Sequence, residues 1–103
     1  MKDKLTIAFE RYLIHAKKLL LICAMMKQAD ANIQMLRLIK EEGEKPKLLV
    51  IEKDCRDIRI GISRVTYYLN KIKNMDIVEV SFVKEAKAEI YPICEYLKKH
   101  MEL

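Results

Sequence analysis

The sequence predicts a mainly α-helical domain carrying one small β-hairpin, an α+β chain. Three observations predict it. The stretch from Lys4 to Gln28 holds no Gly or Pro and repeats apolar residues at heptad spacing. Only two Gly and two Pro in 103 residues leave room for few loops. Toward the C-terminus, Val78, Val80 and Phe82, then Ala88, Ile90 and Pro92, alternate with their neighbours as half-buried strands do. A chain this short makes one domain with a modest core. It divides into an N-terminal helix over 1–29, a core over 30–91 and a C-terminal helix over 92–103.

In the first helix Leu5, Phe9, Tyr12, Ala16, Leu19, Cys23 and Met26 form the heptad seam, while Ile14, Leu21 and Ile22 make other sides apolar as well. A helix of about 25 residues is roughly 37 Å long, more than so small a domain covers. It is therefore expected to dimerise; packing within one monomer is the alternative. A second helix is expected to start after Asp30 or Asn32, both good N-caps, and to stop at Gly43. Its buried side is expected to hold Met35, Leu36, Leu38 and Ile39. From Lys47 to Glu52 two readings stand: a helix begun at Pro46, or a short β-favouring run.

The stretch Ile58-Arg59-Ile60-Gly61 reads as a turn, followed by a helix on which Val65, Leu69 and Ile72 make a buried stripe. From Ile58 to Met75 there are four bases, Arg59, Arg64, Lys71 and Lys73, and no acid. The opposite face carries Ser63, Thr66, Tyr67 and Asn70, which can bond bases or phosphates; a merely solvated basic face is the plain alternative. The two strands then flank a tip, Val83 to Lys87, where Lys84 and Lys87 either reach phosphate or form a solvated turn.

Turn, helix and hairpin in that order, over Asn32 to Ile93, resemble the winged helix-turn-helix regulators of the ArsR-like and MarR-like groups. Arg59 stands where that family has a turn glycine, and Gly61 where it has a Ser or Thr cap. The resemblance implies a winged helix-turn-helix with a long N-terminal dimerisation helix, joined in the subunit interface by Leu97 and Met101 of the C-terminal helix: a homodimer that binds double-stranded DNA and regulates transcription. Ser63, Arg64, Thr66, Tyr67 and Asn70 would then lie nearest the bases, with Arg59, Lys71, Lys73, Lys84 and Lys87 on phosphates.

The charge balance of +5 fits a polyanion better than an acidic small molecule. A winged helix used only for protein contacts is the second reading. The third, a small α/β enzyme using Glu52, Asp54 and Asp57, has no motif to fix its geometry, so no catalysis is expected. Cys23, Cys55 and Cys94 are odd in number and far apart, which argues against secretory disulfides and a zinc site. Reduced thiols in a cytoplasmic protein, without metal or cofactor, are expected. The longest apolar run, Leu19 to Met26, cannot span a bilayer. No residue pattern marks an effector pocket.

Overall fold

The computed structural model describes residues 1–101 as three helices: α1 (Lys4–Ile39), α2 (Lys45–Ile72) and α3 (Val80–Met101). They run up, down and up as a rod of 58 × 19 × 19 Å. No strand occurs among the described residues. The expected α+β class is therefore corrected to an all-helical bundle.

The N-terminus of α1 is fixed by local chemistry. Asp3 caps it, its Oδ1 accepting the Thr6 backbone N–H at 2.8 Å, and bonding to Thr6 holds the Asp3 carboxyl below its usual range. Thr6 is itself buried, and its Oγ1 accepts the Val78 N–H at 3.1 Å. The Asp3 N–H donates to the Asp76 carbonyl at 2.9 Å, and the Lys2 ammonium donates to the Ile72 carbonyl at 3.2 Å. The leading residues thereby tie down the α2–α3 connection.

The expected break at Asp30 to Asn32 is absent, and α1 continues to Ile39. Residues that favour caps cost only about 0.5 kcal/mol inside a helix, and here Asp30 and Asn32 stay in solvent while Ala31 packs inward. α1 closes in a Schellman turn: the Glu42 N–H donates to the Arg37 carbonyl at 2.8 Å and the Glu41 N–H to the Leu38 carbonyl at 3.1 Å. Glu41, not Gly43, takes the left-handed conformation, at φ 59°.

α2 starts at Lys45 with Pro46 in its first turn, so Lys47 to Glu52 is helical. No turn interrupts it at Ile58 to Gly61. Gly61 has an ordinary helical backbone and is buried, and a Cβ added there would stand 3.3 Å from both Leu20 methyls and 3.5 Å from Ile93 Cδ1. Its smallness serves close packing of three helices, not a bend.

The expected strands and wing are helix α3, whose buried residues Val83, Ala86, Ile90, Cys94 and Leu97 follow helical spacing. The alternation read as strands is shared by any short apolar run, and the stripe that decides the matter continues to Leu97, past the supposed second strand. Pro92, taken as the start of the last helix, lies inside α3 on its solvent side. Pro92 has no N–H for the Ala88 carbonyl, and both residues lie on the exposed side of the helix.

The core is a column along the bundle axis, with Phe9, Leu13, Leu20, Ile58, Val65, Ile72, Ile90 and Leu97 all essentially out of solvent. At one end Phe9, Tyr68 and Phe82 pack edge to face, with centroids 5.4 to 6.4 Å apart. Among residues 28–50, by contrast, only Ala31 and Leu48 are buried. With 22 residues against 36, α3 stops short of the α1–α2 hairpin tip.

Candidate functional site

The heptad seam of α1 is satisfied inside the chain. Phe9, Ala16, Cys23 and Leu97 are buried in the core, Tyr12, Leu19 and Met101 pack half-buried against it, and only Leu5 and Met26 are exposed. Because α3 is a helix rather than a hairpin, it covers the flank that the sequence leaves open for a partner.

A second apolar stripe lies on the opposite side of α1. Ile7, Ile14 and Leu21 recur at seven-residue spacing, followed by Ile22, Met25, Met35, Leu36 and Ile39, with Ala8 and Ala29 between. Exposures of 46% at Leu21, 51% at Ile22 and 75% at Met25 put these side chains in solvent at the very middle of the helix. One apolar stripe suffices for a helix packed on a bundle; α1 has two. In the first half of the helix Lys4, Arg11 and Lys18 lie on this same face, between the row of Ile7, Ile14 and Leu21 and the row of Ala8, His15 and Ile22; Met25, Asn32 and Ile39 hold the corresponding positions in the second half.

The residues expected to read DNA lie on one helix and on α3, without turn or wing. Arg59, Ser63 and Arg64 join Arg56 around a shallow depression floored by Ile60. None of the three guanidinium groups has an ion-pair partner among the described residues. Thr66 is half-buried, and Asn70, Lys71 and Lys73 are exposed. Tyr67 packs edge-on against Tyr68 with the Lys71 ammonium 5.6 Å from its ring centre. Lys84 and Lys87 project from α3, and Lys87 is turned toward α1, its ammonium 5.0 Å from the centre of the Tyr12 ring. The arrangement is a basic helix face and not a recognition helix presented by a turn.

The three acids considered for catalysis are separated by their partners. Asp54, 3% exposed, accepts from Lys27 at 3.0 Å and from the Tyr96 hydroxyl at 3.1 Å, one bond from each of the other helices. Asp57 pairs with Lys53 at 3.0 Å on the surface, and Glu52 lines the groove between α1 and α2. No group of three His, Cys, Asp or Glu among the described residues is placed to hold a metal. The thiols are all free; Cys23 and Cys94 are buried, and burial pushes both upward in pKa, which keeps them protonated.

Between α1 and α3 lies a cavity of about 210 Å³ walled by Tyr12, Ala16, Leu19, Tyr91 and Cys94, with His15, Glu95 and Lys98 at its rim. The Tyr12 hydroxyl is shielded from solvent and has no hydrogen-bond partner among the described residues. Burial first, then Cys94, Tyr91 and Glu95 around it, push its pKa up to about 12. Neither this hydroxyl nor the Lys27–Asp54–Tyr96 network is foreshadowed in the sequence, because each is assembled from different helices. The second stripe of α1 has a sequence signal in Ile14, Leu21 and Ile22.

No known protein family, curated protein or solved structure matches the chain. The winged helix-turn-helix assignment therefore falls with its missing wing and turn, and the DNA-binding, transcription-regulating role derived from it loses its basis. Among the described residues no helix is long and apolar enough to cross a membrane.

Proposed function

We propose that this protein is a self-associating helical module, a homodimer that pairs through the outer face of α1 with the two copies antiparallel. The observation that carries the reading is the second apolar stripe of α1, which no element of the chain covers. A strip about 54 Å long and roughly 10 Å wide offers on the order of 500 Å² per copy, which for two copies approaches the roughly 1,200 Å² at the low end of stable interfaces.

Charge sets the direction. Side by side in parallel, Lys4, Arg11 and Lys18 would each meet their own copies. Antiparallel pairing about the midpoint of α1 instead sets Ile7 against the partner's Leu36, Ile14 against the partner's Ala29, and Leu21 against the partner's Ile22. Arg11 and Lys18 then face Asn32 and Met25, and Lys4 faces Ile39. Like charges are kept apart, and Ile7, Ile14 and Leu21 each meet an apolar residue. The unpaired thiols support a reducing, cytoplasmic setting.

Sedimentation tests the pairing. Ile14→Glu with Leu21→Glu changes side chains outside the core, so the variant is expected to keep its helix content yet sediment as a monomer where the parent is a dimer. An Ile7→Cys, Leu36→Cys variant should form disulfide-linked dimers on mild oxidation, since these positions are about 44 Å apart along one helix and meet only across an antiparallel pair. A parent that is monomeric at micromolar concentration overturns the proposal; a dimer that fails to cross-link overturns its antiparallel direction.

A further inference from the structure

We infer that the depression on the outer face of α2 is a binding site for a ligand carrying two or three linked phosphate groups, held by the guanidinium groups of Arg56, Arg59 and Arg64. All the residues that line it belong to α2, so the site does not depend on how two copies pair through α1.

Residue type points to the ligand. Lys outnumbers Arg fifteen to five in the chain, yet every base around this depression is Arg. Arg56, Ile60 and Arg64 recur at four-residue spacing, so the two arginines share one row of the helix with Ile60 between them, while Arg59 and Ser63 form the adjoining row. Like charges this close on one helix oppose each other, and none of the three has an ion-pair partner among the described residues. The acids nearest in sequence do not answer them. Asp57 holds Lys53 at 3.0 Å, and Glu52 lines the groove toward α1 without an ion pair to Arg56 or Arg59. An anion relieves the repulsion. One guanidinium fork fills both oxygens of a carboxylate, whereas a terminal phosphate, with three acceptor oxygens, keeps one for a second arginine or for the Ser63 hydroxyl. Arg56 and Arg64 stand about 12 Å apart along the helix axis, a span that suits a chain of phosphates better than a single one.

Calorimetric titration with sodium triphosphate tests the site, together with the guanidinium N–H resonances. The parent is expected to bind one triphosphate per chain, more tightly than orthophosphate or citrate, with the shifts centred on Arg56, Arg59 and Arg64. Arg59→Gln, at an exposed position, should bind about ten-fold more weakly, the worth of one hydrogen bond between charged groups. Changing all three arginines to Lys keeps the charge and should also weaken binding, because an ammonium lacks the planar fork. Lys84→Gln, an equal loss of charge on α3, should leave it unchanged. Failure to saturate at millimolar triphosphate, citrate bound as tightly, an all-Lys variant that binds like the parent, or Lys84→Gln weakening as much as Arg59→Gln would each overturn the assignment. So would a single-stranded oligonucleotide bound more tightly than triphosphate and weakened equally by Arg59→Gln and Lys71→Gln, which marks a nucleic-acid surface along the whole of α2.

Discussion

At Gly61 one absent methyl group sets how closely α2 approaches α1. The two Leu20 methyls that a Cβ would meet at 3.3 Å belong to a side chain wholly out of solvent, so they have little space into which to retreat. Gly61→Ala gains about 1 kcal/mol of helix propensity and loses some of it to that contact. Gly61→Val adds two more carbons and should destabilise by about 2 kcal/mol, measured by chemical denaturation. A Gly61→Val protein as stable as the parent would show that the helices are spaced by something else. Within Ile60-Gly61-Ile62 nothing local separates a packing glycine from a turn glycine; the deciding side chain sits on another helix. Asp54 carries the same lesson. In sequence it is one acid among Glu52 and Asp57, and only the arrival of Lys27 and Tyr96 makes it the buried one.

Elements were legible where one periodicity ran long enough to exclude the other. The heptad from Leu5 to Met26 announces the first two thirds of α1, whereas after Pro46 helix and strand both fitted until the structure made it the start of α2. Between Val78 and Pro92 two short alternating runs fit a strand as well as a helix, and the helix is selected by a stripe that crosses both. What covers α1 was not legible for the same reason: a hairpin leaves its seam open, whereas α3 closes it and moves the free apolar surface to the other side. The helix end was misplaced by three residues, at Glu42 instead of Ile39, and the error has a measurable consequence. Glu41 holds a left-handed backbone that costs a residue with a Cβ about 1 kcal/mol. Glu41→Gly should therefore raise stability by about 0.5–1 kcal/mol in thermal or denaturant unfolding, and a loss of stability would mean the Schellman turn is not what ends α1.

Over the whole molecule, two phenols link folding to pH. Tyr12 and Tyr68 are both pushed up from 10.0 to about 12, chiefly by burial, with Tyr68 further held neutral by donating to Glu89 at 3.1 Å. A pKa raised in the folded state means that folding favours the protonated phenol. The contribution is complete below pH 10 and is lost as pH rises through about 12. Melting temperature should accordingly fall over that alkaline window, together with the late rise of tyrosinate absorbance. The Tyr12→Phe, Tyr68→Phe variant should flatten the fall; an unchanged alkaline profile would contradict the linkage. The rod is also unequal from end to end. Beyond the reach of α3, α1 and α2 share little more than Ala31 and Leu48, so amides near the hairpin should exchange with solvent through small openings while those beside Phe9 and Ile72 wait for global unfolding. Such a molecule unzips from one known end, and an antiparallel partner would lay its firm end along the loose one, so that each copy splints the part of the other that frays first.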